Sequence, residues 1–215
     1  MTDEDDGLEG AGLEGYSSRV AVAVERFGPT DLNDIESQTT ADGLRMIVDF
    51  LGCHPLDCPE TARQASPVSY VTADDPPLMI QHGDKDTLVP YRQGERLAER
   101  LRSVGNAGAL VKVRNAEHAF IPVPITAELR PSVETVAFMT IAYLARVLEP
   151  GALGDVNLSG RRNGLDVTEL GRRLGDAGIG PMAMPAPDSW NPLADIVLDG
   201  VIDARDLTAF FLIRQ

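Results

Sequence analysis

Apolar stretches alternate, along the first 150 positions, with segments that carry polar residues at helical spacing. Three apolar runs rich in β-branched residues, at 19–28, 78–83 and 109–118, predict buried strands. Residues 90–105 place two leucines four positions apart among charged side chains, and residues 132–150 are largely apolar up to a proline, so both segments are predicted to be helices. Strands that alternate with helices favour a doubly wound α/β fold with a parallel sheet.

The pattern changes after residue 150, where glycine and aspartate become periodic. The segment that begins at Asp155 matches the segment that begins at Asp195, at an offset of 40 residues. Such an internal duplication predicts a second domain over residues 151–215. The first domain is then expected over residues 16–150, and the acidic, glycine-rich residues 1–15 are expected to be disordered or the remnant of a loop.

Composition excludes some classes of partner. The 215 residues are 43% hydrophobic, which is enough for one ordinary core and a small second module. The formal net charge is −14, with 33 acidic against 19 basic side chains, which argues against a nucleic-acid partner. No apolar run approaches the length of a membrane span, and no signal peptide is expected because the first residues are acidic. The two cysteines, Cys53 and Cys58, are either thiols or a small-loop disulfide, and the disulfide needs an oxidising compartment.

The first copy of the duplication, "DVNLSGRRNGLD", has the spacing of a calcium-binding loop. Side-chain oxygens recur at alternate positions and Gly160 permits the sharp bend, as a Ca²⁺ ion with six to eight oxygen ligands requires. The predicted ligands are Asp155, Asn157, Ser159, Arg161, Asn163 and Asp166. Arg161 would bind through its backbone carbonyl, and Asn163 directly or through water. A polar turn that caps a helix would explain any two of these residues but not the repeat.

The second copy, "DIVLDGVIDARD", keeps most of these positions. Val197 stands where the third loop position should donate an oxygen, so this site is expected to bind Ca²⁺ more weakly or to use water instead. Its predicted ligands are Asp195, Asp199, Val201, Asp203 and Asp206. The paired loops resemble a dockerin-type module. The resemblance implies a small α-helical, EF-hand-like unit that folds around Ca²⁺ and docks onto a cohesin-like protein.

In the first domain, an aspartate and a histidine follow two successive predicted strands. Asp86 lies in "QHGDKDTLVP", after the strand at 78–83, and His118 lies in "NAEHAF", after "ALVKV", the apolar part of the next predicted strand. The carboxyl ends of parallel strands meet at the edge of the sheet where ligands bind. An acid there can orient a histidine, which then serves as general base for a nucleophile.

The segments "SSRVAVAVERFGPTDL", "ASPVSYVTADDPPLMIQHGDKDTLVP" and "AEHAF" resemble, in this order and spacing, the C-terminal half of an α/β-hydrolase. The closest branch is that of esterases and lipases, which includes feruloyl-esterase-like and prolyl-oligopeptidase-like enzymes. The resemblance covers roughly residues 16–148 and implies that Asp86 is the acid and His118 the base of a Ser-His-Asp triad. It makes Asp84 a structural turn residue and His82 a strand-end residue, and His54 is expected at the surface.

The family's nucleophile motif, G-x-S-x-G, does not occur in this sequence. Ser17 and Ser18 precede a strand and lack the flanking glycines of that elbow, so neither is expected to be the nucleophile. The resemblance therefore implies a partial hydrolase domain that lacks its N-terminal half, with Met1 as an internal start. Such a chain is expected to be inactive alone.

In the complete protein, we expect a secreted or cell-surface hydrolase of a small ester, in which a Cys53–Cys58 bridge is favoured. Three alternatives remain open. The chain is a non-catalytic Ca²⁺-dependent interaction module on a hydrolase-like scaffold, a peptidase of the prolyl-oligopeptidase type, or a generic α/β domain in which "GDKD" is only a polar turn.

Overall fold

The computed structural model describes residue 12 and residues 16–35, 39–106 and 108–148. The predicted calcium loops and the rest of residues 151–215 lie outside the described residues, as does most of 1–15. The strands are β1 (Ala23–Arg26), β2 (Leu78–Gly83) and β3 (Gly108–Val113), and the helices are α1 (Ala41–Leu51), α2 (Pro59–Gln64), α3 (Arg92–Ser103) and α4 (Val133–Leu148). Short 3-10 helices span Pro67–Tyr70 and His118–Phe120.

The described strands form a parallel sheet in the order β1-β2-β3. Ala23 pairs with Leu78, which in turn pairs with Gly108, so the strands begin level. β2 and β3 end together at Gly83 and Val113, and β1 ends two residues earlier, opposite Gln81. All six residues of the central strand β2 are buried, as expected for a parallel strand covered on both faces. The predicted parallel sheet with helical crossovers is confirmed.

Two of the strands are shorter than the sequence predicts. β1 has four residues where residues 19–28 were expected, because residues 17–20 are exposed before it and Phe27 turns the chain out of the sheet with a φ of 44°. β3 ends at Val113 because the chain then makes antiparallel bridges outside the sheet, from Arg114 to Arg130 and from Ala116 to Pro122. The local apolar pattern cannot distinguish such bridges from a continued strand.

Helices cover both faces of β2. Leu78 and Ile80 pack against Leu97 and Leu101 of α3 in one buried cluster. Alternate side chains of a strand point to opposite faces, and on the other face Gln81 donates a hydrogen bond of 2.7 Å to Thr140 of α4. This is the three-layer arrangement of a doubly wound domain.

The segment between β1 and β2 carries α1 and α2. Thr40 caps α1 by accepting a hydrogen bond from the Gly43 amide, and Gly52 ends the helix with a left-handed φ of 74°. Cys53 and Cys58 form a disulfide just after this turn, which settles the pairing that the sequence left open. The two helices contribute Ile47 and Ala62 to a second buried cluster, completed by Leu32, Ile35 and Val89.

Among the described residues, the helices are all too short or too polar to cross a bilayer.

Candidate active site

Asp86 and His118 meet at the carboxyl edge of the sheet. Asp86 lies in the loop after β2 and His118 in the loop after β3, and His118 Nδ1 is 2.9 Å from Asp86 Oδ2. The Asp86 side chain is fully buried and that of His118 is 31% exposed. A carboxylate only accepts hydrogen bonds, so Nδ1 carries the proton of this contact and Nε2 is the ring nitrogen that can exchange a proton with a substrate.

Asp86 is held by its own loop. Its Oδ1 accepts hydrogen bonds from the amides of Leu88, at 3.0 Å, and Val89, at 2.8 Å. Burial alone would raise the pKa of Asp86, but interactions with His82, the Val89 amide and His118 outweigh burial and lower this pKa below its usual value. The carboxylate is therefore ionised at neutral pH and fixed in direction, as a residue that orients an imidazole must be.

Two further contacts tie the Asp86 loop to the His118 loop. Asp84 Oδ1 accepts a hydrogen bond of 2.7 Å from the Asn115 amide. Glu117 accepts two bonds from Thr87, from the amide at 2.7 Å and from the hydroxyl at 2.8 Å. The sequence does not predict a role for Glu117, whose only signal there is an acid directly before the histidine in "AEHAF".

The close approach of the two loops requires Gly83. A Cβ added at this position would overlap the backbone oxygen of Ala116, with which the following Lys85 amide forms a hydrogen bond of 2.9 Å. Glycine is the residue that allows two backbones to come this close. The "HG" of the acid-bearing loop is thus explained by packing.

We expect Gly83→Ala to destabilise the fold by roughly 3 kcal/mol, because the loop after β3 must move to admit the methyl group. Urea unfolding of the two proteins measures this difference. Gly105→Ala is the control, since Gly105 has open space around its Cβ position and a φ of 76°, so that only the left-handed backbone is penalised, by about 1 kcal/mol. Equal losses in both variants would contradict the packing explanation.

The ring of His118 is also braced by aromatic contacts. Phe27, which follows β1, lies with its ring centroid 4.8 Å from that of His118 and 5.3 Å from that of Phe120, both edge to face. All three described strands therefore deliver a residue to the same place.

A cavity of about 480 Å³ opens beside His118. Its walls are almost entirely apolar, and α1 supplies one of them. Met46 and Phe50 of α1 line the cavity although they are 59% and 73% exposed, so they lie at its rim. The principal lining side chains are Phe27, Leu32, Met46, Ile47, Phe50, Val89 and His118. The volume is that of an ordinary small-molecule site.

Glu25 is a buried carboxyl beneath this region. Its Oε1 accepts a hydrogen bond from the Gly28 amide, while its Oε2 is buried without a hydrogen-bond partner. Burial raises the pKa of Glu25 to about 7, against smaller lowering effects of the hydrogen bond from the Gly28 amide and of the electrostatic interaction with His82.

This pKa predicts a stability that depends on pH. The folded state keeps a proton that the unfolded chain has already lost above about pH 5, so stability falls as pH rises toward 8, by up to ~3 kcal/mol. Glu25→Gln should remove this part of the pH dependence in urea unfolding at pH 5 and pH 8. Asp49→Asn, at an exposed position of α1, should keep it. A Glu25→Gln profile that parallels that of the parent would show that Glu25 is not responsible.

The remaining predicted residues lie as follows. His82 is fully buried in β2, and its Nε2 is 2.8 Å from the Val89 carbonyl. His54 is half-buried in the loop between α1 and α2. Ser17 and Ser18 are exposed and precede the N-terminal end of β1, whereas Asp86 and His118 lie beyond the C-terminal ends of β2 and β3. Among the described residues, no group of three or more His, Cys, Asp or Glu side chains is arranged to hold a metal ion.

Comparison with known proteins gives relatives that are esterases. Residues 2–101 are similar to the BD-FAE family. The chain is 31% identical over 143 residues to Esterase LipQ of Mycobacterium tuberculosis, which covers 63% of this chain and 32% of LipQ. It is 29% identical over 109 residues to Esterase LipC of the same organism, which covers 50% of this chain and 27% of LipC. The chain thus spans a third or less of these relatives.

A solved structure extends the comparison to the fold. A puromycin-hydrolyzing peptidase of Mycobacterium tuberculosis matches with a TM-score of 0.50 and 22% identity, over 60% of this chain and 18% of that one. The described residues form part of an α/β-hydrolase fold. The α/β class and parallel sheet predicted for the first domain agree with this likeness. The likeness does not test the predicted calcium module.

Proposed function

We propose that this chain supplies the acid and the base of a Ser-His-Asp carboxylic-ester hydrolase whose serine lies in a part of the protein that precedes these residues. The observation that carries the proposal is the 2.9 Å contact between His118 Nδ1 and the buried Asp86 carboxylate at the carboxyl edge of the sheet. The esterase relatives support the reaction class, and their greater length is consistent with a nucleophile supplied by another segment.

The residues have distinct tasks in this mechanism. The serine oxygen attacks the ester carbonyl carbon while His118 Nε2 takes the serine proton, and Asp86 stabilises the imidazolium through Nδ1. The tetrahedral intermediate collapses, the bond to the leaving alcohol breaks, and His118 returns the proton to that alcohol. Water then repeats the sequence on the acyl-enzyme and releases the carboxylic acid.

The cavity beside His118 suggests the kind of ester. Its walls are apolar, and among the described residues that line it Arg26 is the only charged one besides a protonated His118; the Arg26 guanidinium donates hydrogen bonds to Gln81 and Thr140. Burying an unpaired charge in such walls is unfavourable. We therefore propose a small ester with an uncharged, apolar group adjacent to the scissile bond.

An experiment on substrate class separates this proposal from peptidase activity. A polypeptide that includes this chain and a preceding G-x-S-x-G segment is expected to hydrolyse p-nitrophenyl butyrate and to leave alanyl-prolyl-p-nitroanilide intact. Faster cleavage of the anilide than of the ester would favour the peptidase alternative instead.

We also propose that residues 151–215 form a Ca²⁺-dependent, dockerin-like module that anchors the enzyme to a cohesin-like protein outside the cell. The support is the sequence repeat and, for an oxidising compartment, the Cys53–Cys58 disulfide. If the hydrolase part is only a scaffold, this module alone would carry the function.

Calorimetry of Ca²⁺ binding tests the metal sites. Asp155→Ala is expected to remove the stronger binding phase, because it deletes the first ligand of the more complete loop. Asp195→Ala should affect only a weaker phase. Identical titration heats for the parent and Asp155→Ala would refute the assignment.

A further inference from the structure

His82 lies next to Asp86 and contacts the loop that holds it. It is fully buried near the end of β2, and its Nε2 is 2.8 Å from the Val89 carbonyl. A carbonyl only accepts, so Nε2 carries a proton and donates it to Val89. The same Nε2 is 3.6 Å from Asp86 Oδ2, which is too long for a hydrogen bond but close enough for the N–H dipole to favour the carboxylate.

The Val89 peptide is held at both of its polar atoms. Its amide donates to Asp86 Oδ1 at 2.8 Å, and its carbonyl accepts from His82. A shift of the His82 ring would therefore move Val89 and, with it, the carboxylate that orients His118. Val89 also lines the cavity, so the same shift would move part of the proposed substrate site.

The surroundings of His82 make a polar ring at this position unfavourable for stability. Its Nδ1 is buried without a hydrogen-bond partner, which is unfavourable, and an apolar side chain would avoid this penalty. Tyr91 packs edge to face at 5.9 Å between ring centroids. Gly94 of α3 leaves room for the ring, since a Cβ there would lie 3.0 Å from Nδ1 and 3.3 Å from Ile80. The local packing thus has room for an imidazole, and Nε2 is the ring atom that forms a hydrogen bond, to the Val89 carbonyl.

We propose that His82 is a positioning residue of the site, which fixes the direction of the Asp86 carboxylate toward His118 by holding the Val89 peptide. Its meaning for catalysis rests on the proposed function, whereas the geometric role is a property of this chain. In an active polypeptide, loss of the His82 donor should lower kcat strongly and raise KM to a smaller extent, because Val89 also lines the cavity.

The test measures the Asp86–His118 hydrogen bond directly in the 215-residue chain. Nuclear magnetic resonance of ¹⁵N-histidine follows the exchange of the His118 Nδ1 proton with water in folded samples. His82→Leu fills the space without a donor and is expected to speed this exchange about tenfold, as the loss of one well-aligned hydrogen bond would. His82→Gln, whose amide can donate to Val89, should stay within about twofold of the parent. His54→Gln is the control for replacing a histidine elsewhere.

If His82 had only a structural role, His82→Leu and His82→Gln would change the exchange rate of the His118 Nδ1 proton by the same amount. Gly94→Ala provides an independent variant if His82→Leu does not fold, because it keeps the imidazole and displaces its ring by a few tenths of an ångström. It should give an exchange rate between those of the parent and a donor-free site. Unchanged exchange in folded His82→Leu or in Gly94→Ala, or equal exchange in the Leu and Gln variants, would overturn the proposal. Because no hydrolysis is measured, an inactive protein would leave this result intact.

Discussion

Replacing His118 with alanine is expected to lower kcat/KM for p-nitrophenyl butyrate by about 10⁶-fold in a polypeptide that contains both this chain and the serine nucleophile. Without the imidazole, no group removes the serine proton during attack or returns it to the leaving alcohol. The remaining rate would come from substrate binding and the oxyanion site alone. Initial rates of p-nitrophenol release, on samples with matched circular dichroism, give the comparison.

His54→Ala is the matched control, because His54 lies in the loop between α1 and α2, where its Nδ1 accepts a hydrogen bond from the Leu56 amide. It should retain nearly full activity. A loss of less than tenfold in His118→Ala would mean that His118 is not the base, and a similar loss in both variants would point to a general effect on folding.

Asp86→Asn is expected to have the second large effect, a fall in kcat of about 10⁴-fold. An amide in place of the carboxylate can offer an N–H to His118 Nδ1, which favours the wrong tautomer and leaves Nε2 unable to accept the serine proton. Asp84→Asn makes the same chemical change two residues away. There the amide oxygen can still accept from Asn115, so this control should keep most of its activity.

Asp86→Asn also tests how the ionised Asp86 carboxylate contributes to the stability of the fold. The pKa of Asp86 is lowered in the folded state, so its contribution to stability is fully present above about pH 4 and is lost as pH falls further and the folded carboxyl takes up a proton. Asp86→Asn should therefore lose less stability than the parent between pH 5 and pH 2 in urea unfolding. If both proteins lost the same stability over this range, the proposed stabilisation of the ionised carboxylate would be wrong.

The contact between Asp86 and His118 could be anticipated because parallel strands end at the same edge, so acidic and basic residues after successive strands converge there. The contributions of His82 and Glu117 could not be anticipated in the same way. Each depends on a contact between loops: His82 forms a hydrogen bond with the Val89 carbonyl, and Glu117 accepts one from the Thr87 amide. Sequence spacing does not encode such loop packing.

The region between β1 and β2 shows the other limit of sequence patterns. The sequence indicated only a mixed helical and loop region before Arg63, whereas the structure has α1 and α2 there. Met46 and Phe50 belong to the apolar side of α1, which is wider than the part of the helix that the core buries, so both side chains stay exposed at the cavity rim. The apolar pattern indicates that such a side is covered but does not indicate by what.

We propose that this chain carries the acid and base of an ester hydrolase and that another segment supplies its nucleophile. The most direct measurement compares p-nitrophenyl butyrate hydrolysis by the 215-residue chain with hydrolysis by a polypeptide extended upstream in the same reading frame to include a G-x-S-x-G sequence. We predict no release above the buffer blank for the chain alone, and serine- and His118-dependent turnover for the extended form. Turnover by the chain alone that is lost in His118→Ala, or a folded extended form without activity, would contradict the claim.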